Sequence, residues 1–302
     1  MATAPLSRVL DAMGMHAASI AVLKDVPMEN ASWLVVTADR QRLVLRRYHS
    51  AATTADLGYE HAVLRHLAGA GWVVPDQVGD LVQENGLWYC LTRYVPGKAL
   101  ARENAAQRRR RGVDMARLNL ALRGLSDQLG QRPGWRAQQA RVTVHDQVDW
   151  AECIRGLMTV SPRLASWSCA AAADTRASLA AIGASELPLT VVHGDFASWN
   201  VHYQRGRLAG VIDFGLTHLD SRPYELAVAR TYRAPEAIES YRAELARSGW
   251  PLTGLEEAAI GPMYRAFRVD MIAWHLHSRL ATGDYDLQMI RRQLARTGTP
   301  AP

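Results

Sequence analysis

The chain has 302 residues, enough for one large domain or two lobes, with a 48% hydrophobic and 21% charged composition ordinary for a globular protein. Its net charge is +6, and three scattered cysteines (Cys90, Cys153 and Cys169) argue against a disulfide framework and a zinc site. No apolar leader follows Met1 and no apolar run approaches the roughly 20 residues that span a bilayer, so a cytoplasmic protein with no membrane partner is expected.

Residues 5–24 read as a short helix and its lead-in. Two apolar stretches, 32–37 and 42–48, flank the polar turn Ala38–Gln41 and predict a hairpin. Thr53, Thr54 and Asp56 offer N-caps to a helix with Leu57, Leu64 and Leu67 on one face, stopped near Gly69 and Gly71. A second strand pair is expected over 78–82 and 87–95, closed by Pro96-Gly97. The basic run Arg108–Arg111 lacks interleaved aromatics and reads as a solvated loop, so no nucleic-acid partner is expected.

Met115, Leu118, Leu122, Leu125 and Leu129 repeat at spacings of three and four, a buried helical stripe. Helices are predicted near 146–158 and 172–183. A β island follows at 189–192, 201–203 and 208–212, then helices beyond Pro223, including 259–281. The class is α+β: a small β-rich lobe over residues 1–95 and a larger, mainly helical lobe over 96–302 with one embedded hairpin.

The chemistry concentrates in His193-Gly-Asp195-Phe-Ala-Ser-Trp-Asn200 and Val211-Ile-Asp213-Phe-Gly215. The strand at 189–192 ends in a loop presenting Asp195 and Asn200. A hairpin turning at Arg205-Gly206 then sets Asn200 nearly opposite Val211 and Asp213. An amide oxygen and a carboxylate gathered at one end of a ladder suit Mg²⁺, which keeps waters and phosphates in its other positions. Asp195 is left to accept a proton from an attacking hydroxyl.

This joint pattern resembles the phosphotransferase superfamily of aminoglycoside kinases, choline kinases and type II homoserine kinases, relatives of protein kinases in fold, and the resemblance covers most of the chain. It implies a bilobal protein-kinase-like architecture whose N-terminal lobe binds nucleotide. Asp195 would be the catalytic base, and Asn200 and Asp213 the metal ligands on the ATP phosphates. His193 would buttress the loop. Arg46, with Arg47 a competing register, would stand where a lysine is common and pair with Glu60.

The resemblance also assigns Asn30 and Ser32 to the phosphate-covering loop 27–32, and main-chain groups around Arg93, Tyr94 and Val95 to the adenine edge. ATP with Mg²⁺ is expected, GTP being an open alternative. Three departures stand out: Arg46 itself, Ala197 in place of a basic residue familiar in protein kinases, and Glu225 in place of a structural aspartate. Tyr232-Arg-Ala-Pro-Glu236 mimics the end of a protein-kinase activation segment, but Pro223, Glu225, Leu226 and Val228 read instead as a helix ended by Pro235.

Candidates for acceptor contacts are Asp220, Tyr264, Arg268, Asp270, Trp274 and His275, with core packing the favoured reading for most of the aromatics among them. The near balance of charges after Asp213 disfavours a polycationic acceptor. The expectation is a small-molecule O-kinase, monomeric or homodimeric, acting on a hydroxylated acceptor such as an antibiotic or natural product. A catalytically silent nucleotide-binding module and a protein kinase are the alternatives.

Overall fold

Every second side chain of β2 (Ala31–Thr37) is buried, the period of a strand with one face on a core. β3 (Arg42–Arg47) repeats the pattern with Leu43 and Leu45. The computed structural model describes residues 3–24, 30–100, 102–138, 142–231 and 234–301. Contacts divide the chain into two units, residues 1–101 with 198–215, and residues 102–197 with 216–302.

In the first unit the main sheet runs in the order β1-β2-β3-β5-β4, all antiparallel, with β1 at Ala17–Lys24, β4 at Val82–Glu84 and β5 at Leu87–Arg93. Leu6, Val9 and Leu10 of α1 (Thr3–Ala12) cover one face, packing with Trp33, Val35, Leu45 and Leu91. Leu57 of α2 (Thr54–Gly69) packs with Tyr48 and Cys90 in a second cluster. Thr53 caps α2 by accepting the Asp56 N–H at 3.1 Å.

Two expectations change here. The segment 5–24 holds a strand as well as a helix; β1 is an exposed edge strand, so its burial does not alternate. The strand expected at 78–82 is confined to β4, although the Val78 N–H still bonds the Leu91 carbonyl at 2.7 Å.

β6 (Lys98–Ala99) pairs with β8 (Val201–Gln204), which pairs with β9 (Arg207–Val211). The Val211 N–H also bonds the Val73 carbonyl at 3.0 Å. Main-chain pairing therefore ties the 198–215 hairpin to the first unit, whereas the sequence boundary at 95/96 groups it with the helical part.

The second unit is built from α3 (Ala105–Leu122), α4 (Ser126–Leu129), α5 (Trp150–Val160), α6 (Pro162–Ala181), α7 (Arg222–Thr231), α8 (Pro235–Arg247), α9 (Gly254–His277) and α10 (Leu287–Ala295). β7 (Leu189–Val192) pairs not with the hairpin but with β10 (His218–Ser221), a strand the sequence reading missed. The basic run is helical rather than a solvated loop. An Asn104/Gln107 capping box starts α3 ahead of it, Arg108 grips both oxygens of Glu236, and Arg111 is buried against Glu103.

α3 stops at Leu122, where Gly124 turns with φ 83°, so Leu125 and Leu129 leave the predicted stripe, although Leu125 stays buried. α5 begins only at Trp150 because Asp149 caps it. Between α4 and α5 the chain forms a hairpin-like strap, in which Arg136 N–H bonds Val144 O at 2.7 Å and Asp146 N–H bonds Gly134 O at 2.9 Å. Among the described residues no helix is long and apolar enough to cross a membrane.

α3 and α8 cross at Gly112, where a β-carbon would lie 2.0 Å from the Ala237 carbonyl oxygen. Gly112→Ala is expected to cost about 3 kcal/mol of stability, because backbone rather than a flexible side chain would have to yield. Gly58, exposed inside α2 with nothing within 4 Å, gives the opposite expectation. Gly58→Ala should stabilise by about 1 kcal/mol, and denaturant titration of both variants checks the pair.

Candidate active site

In the second unit β7 delivers His193-Gly194-Asp195. Gly194 has φ 81°, and a β-carbon on it would fall 2.2 Å from the Leu216 carbonyl oxygen, so only glycine fits. The Gly194 N–H donates to Glu225 on α7 at 2.7 Å, and the Asp195 N–H donates to His193 Nδ1 at 3.1 Å. The His193 ring is fully buried and meets Phe196 edge-on.

Arg111 donates to the Phe196 carbonyl at 3.1 Å, and the Ala197 N–H bonds the Asp195 carbonyl at 2.7 Å. Thr217 bonds the Val192 carbonyl and Arg132 the Thr217 carbonyl, each at 2.6 Å. His193 and Glu225 thus brace the main chain that leads into Asp195. Glu225, longer by one methylene than the aspartate expected there, reaches the loop directly. Burial pushes its carboxyl up to about 7 despite the Gly194 N–H, and its Oε2 has no hydrogen-bond partner among the described residues.

In the first unit the hairpin turns at Arg205 and Gly206, both at positive φ as a tight two-residue turn requires. Val201 lies opposite Val211, and the Ile212 N–H bonds the Asn200 carbonyl at 2.9 Å, so Asn200 and Asp213 stand at the same end of the ladder. Asp213 is held at φ 64°, a left-handed conformation that aspartate tolerates better than most residues.

Arg46 on β3 donates Nη1 to Glu60 at 3.2 Å and Nη2 to Asp213 at 3.3 Å. Glu60 is buried on α2, whereas the Asp213 side chain keeps 49% exposure. Burial alone would lower the Arg46 guanidinium, but Glu60 foremost and Asp213 more than offset it and hold the group above its ordinary value. Arg47, in the other register, stands over the Trp33 ring.

A β-carbon on Gly215 would lie 3.1 Å from Arg46 Nη2, 3.4 Å from Asp213 Oδ1 and 3.9 Å from Asn30 Nδ2, so three polar groups converge beside an unsubstituted backbone. Asn30 also accepts the His49 N–H at 3.0 Å. Ser32 pairs across β2 and β3 with Arg46. Residues 27–29 of the expected phosphate loop lie outside the described residues.

The Arg93 N–H is taken by the Asp76 carbonyl at 2.8 Å, Tyr94 stacks under Arg42, and Val95 is buried. The oxygen-only donor pair Asn200 and Asp213, with Asp213 half exposed, fits a hard divalent cation such as Mg²⁺.

The acceptor candidates divide sharply. Asp220 is fully buried and accepts from Gln138 N–H at 2.7 Å and Ser221 N–H at 2.6 Å. Asp270 is buried and accepts the Val144 N–H at 3.2 Å; burial raises its carboxyl to about 6. Buried Arg268 donates to Gln293 and to the Tyr264 hydroxyl. His275 accepts the Asp286 N–H. These polar groups are committed inside the unit, and only Trp274 is substantially exposed.

The sequence reading passed over Arg132, Trp135, His145 and His218, whose rings and guanidinium meet beside Trp274. For Arg132, Trp135 and His145 the signal was their clustering in a stretch with no helical period; His218, on β10, had none. Of Tyr232–Glu236, residues 232–233 lie outside the described residues. Pro235 does not end α7, which stops at Thr231, but opens α8, where Glu236 pairs with Arg108.

Residues 25–259 match the model of the APH family, described as a phosphotransferase enzyme family. The chain belongs to this family. It is a phosphotransferase of protein-kinase-like α+β fold. A homoserine kinase of Phenylobacterium zucineum (strain HLK1) is 27% identical over 265 residues, 82% of this chain and 78% of that one.

Among solved structures, the amicoumacin kinase hAmiN in complex with AMP-PNP, Ca²⁺ and Ami superposes with TM-score 0.68 at 13% identity, covering 96% of this chain and 91% of the other. The microcompartment-associated aminopropanol kinase gives TM-score 0.65 at 16% identity, covering 97% and 94%.

Because the Glu225 pKa is raised from 4.5 to about 7 on folding, its contribution to stability is fully present below pH 4.5 and is lost as pH rises through 7. Glu225→Gln should abolish that component. Wild type should lose up to ~3 kcal/mol relative to the variant between pH 4.5 and 8, at about 1.4 kcal/mol per unit. Urea unfolding of both proteins across that range checks the sign.

Proposed function

We propose that this family member transfers the γ-phosphoryl group of ATP to an alcohol oxygen of a small-molecule acceptor, with Asp195 as general base. The observation that carries the reading is the Arg46 guanidinium shared between Glu60 and Asp213. A buried carboxylate fixes the cation, and the cation in turn faces the carboxylate proposed as metal ligand. Such an arrangement suits a polyphosphate, whose charge requires both a cation and a metal.

Asn200 and Asp213 would hold Mg²⁺, which would supply neutralisation of charge on the phosphates. Arg46 donates to phosphate oxygens, with Asn30 and the Gly215 backbone beside it. Asn30 and Ser32 border the same phosphate subsite. Main-chain groups around Arg93, Tyr94 and Val95 take the adenine edge.

Asp195, its main chain braced by His193 and Glu225, orients the acceptor hydroxyl and accepts its proton as the new O–P bond forms. Most of the acceleration then comes from positioning and charge compensation rather than from covalent chemistry. Ala197 is compatible with this reading because Arg46 supplies a cation from β3. Antibiotics and other natural products with free hydroxyls are the acceptors that fit; the homoserine kinase and aminopropanol kinase relatives make amino alcohols a second class to assay.

Purified protein with Mg-ATP should release ADP only in the presence of a hydroxylated acceptor. Asp195→Asn should lower kcat roughly 10²- to 10⁴-fold while leaving Mg-AMP-PNP affinity nearly unchanged. Asp213→Asn should weaken magnesium-dependent nucleotide binding, read by calorimetry with and without the metal. Near-normal turnover by Asp195→Asn would remove it from the role of base.

A further inference from the structure

Unit 102–197 with 216–302 carries a ladder of rings that the chemistry above does not use. It begins at buried His218 on β10, opposite Val192, the last strand residue before His193-Gly194-Asp195. From His218 the centroid steps are 5.0 Å to Trp135, 4.2 Å from Trp135 to His145 and 4.7 Å from His145 to Trp274. Trp135 and His145 are partly exposed, and Trp274 on α9 keeps 45% of its surface in solvent. Beyond Trp274 the run continues to His277 at 5.9 Å, and the exposed indole offers a flat apolar face on which a ring can stack.

The charges beneath the ladder are already engaged. Asp220 accepts from Gln138 and Ser221 and lies 3.2 Å from His218 Nε2, while Asp270 accepts from Val144. Arg132 stands 4.7 Å from the Trp135 centroid and donates to Thr217 O. The carboxylates are thus buried and bound to main-chain N–H groups, not displayed for an amine.

We infer that the Trp135–His145–Trp274 ladder is the acceptor subsite, and that the acceptor is an uncharged or weakly charged ring-bearing alcohol rather than a polycation or a short chain. The inference rests on the reading of Asp195 as the base. An acyclic four-carbon chain, at about 1.5 Å per bond, spans about one ring-to-ring step of 4.2 or 4.7 Å, too short to cover Trp135 and still reach Trp274. A ring system lying along the ladder does both, and stacking supplies affinity without any charge pairing.

The test is calorimetric binding to the full chain loaded with Mg-AMP-PNP. Two compound sets are used: uncharged ring-bearing alcohols (nucleosides, glycosides and macrolactones) and acyclic amino alcohols including homoserine and aminopropanol. The expected result is that the tightest ligands come from the ring-bearing set. Trp274→Ala should weaken them tenfold or more, and Trp274→Phe should restore most of the loss. Trp274 is exposed, so neither variant threatens the core, and retained Mg-AMP-PNP affinity verifies folding.

Tightest binding by acyclic compounds, no binding by any ring-bearing compound, or ring binding indifferent to Trp274→Ala each overturns the inference while leaving the kinase reading intact. Failure of the wild-type chain to bind Mg-AMP-PNP overturns the kinase reading itself, and this inference with it.

Discussion

The carbonyl of Leu216 occupies the space where residue 194 would carry a side chain, and the local order around Asp195 depends on that contact. Because Gly194 admits the carbonyl, β10 can lie against β7, and Thr217 can close onto the Val192 carbonyl. The same close approach gathers Glu225, His193, Arg111 and Arg132 around one stretch of main chain. Each of these groups is buried, so each would be expensive without its partner. Their stability is collective, and its product is a loop whose backbone has few alternative conformations.

The other unit solves a different problem, holding cation and anion together without letting them cancel. Arginine at position 46 does this with two nitrogens, one for Glu60 and one for Asp213. A lysine ammonium could contact both carboxylates, but without the planar fork that fixes the direction of each bond. The buried Glu60 pins one arm, and the half-exposed Asp213 meets the other at the surface of the unit. The left-handed backbone at Asp213 adds to the constraint, since few residues would accept that turn out of β9.

Much of this was legible in the chain. The hairpin turn at Arg205-Gly206 and the spacing of Asn200 to Asp213 follow from strand period alone, and the structure has Ile212 bonded to Asn200 as the register requires. Glu60 lies three residues after Leu57 and four before Leu64, a helical spacing that sets it on their face, and it is buried there. What escaped was whatever lacked a local period. β1 is an edge strand with little burial, and β10 is four residues whose partner, β7, lies far away in sequence. Arg111 looked like part of a solvated charge run because Glu103 and the Phe196 carbonyl, its partners, give no local signal of pairing. Asp220 and Asp270 looked like ligand groups for the converse reason, since the N–H groups of Gln138 and Val144 that bond them lie far away in sequence, in a loop between α4 and α5.

That loop, the strap between α4 and α5, has a property that bears on how such an enzyme could diversify. Its two carboxylate anchors grip the N–H of Gln138 and the N–H of Val144, groups that every residue except proline provides. Apart from Thr143, whose side chain also bonds Asp270, the anchorage is nearly blind to the identity of the strap's side chains. Substitution at partly exposed Trp135, Arg136 or His145 leaves both main-chain anchors in place, so the described surface of the strap can change one side chain at a time. Proline at 138 or 144 is the change this arrangement forbids.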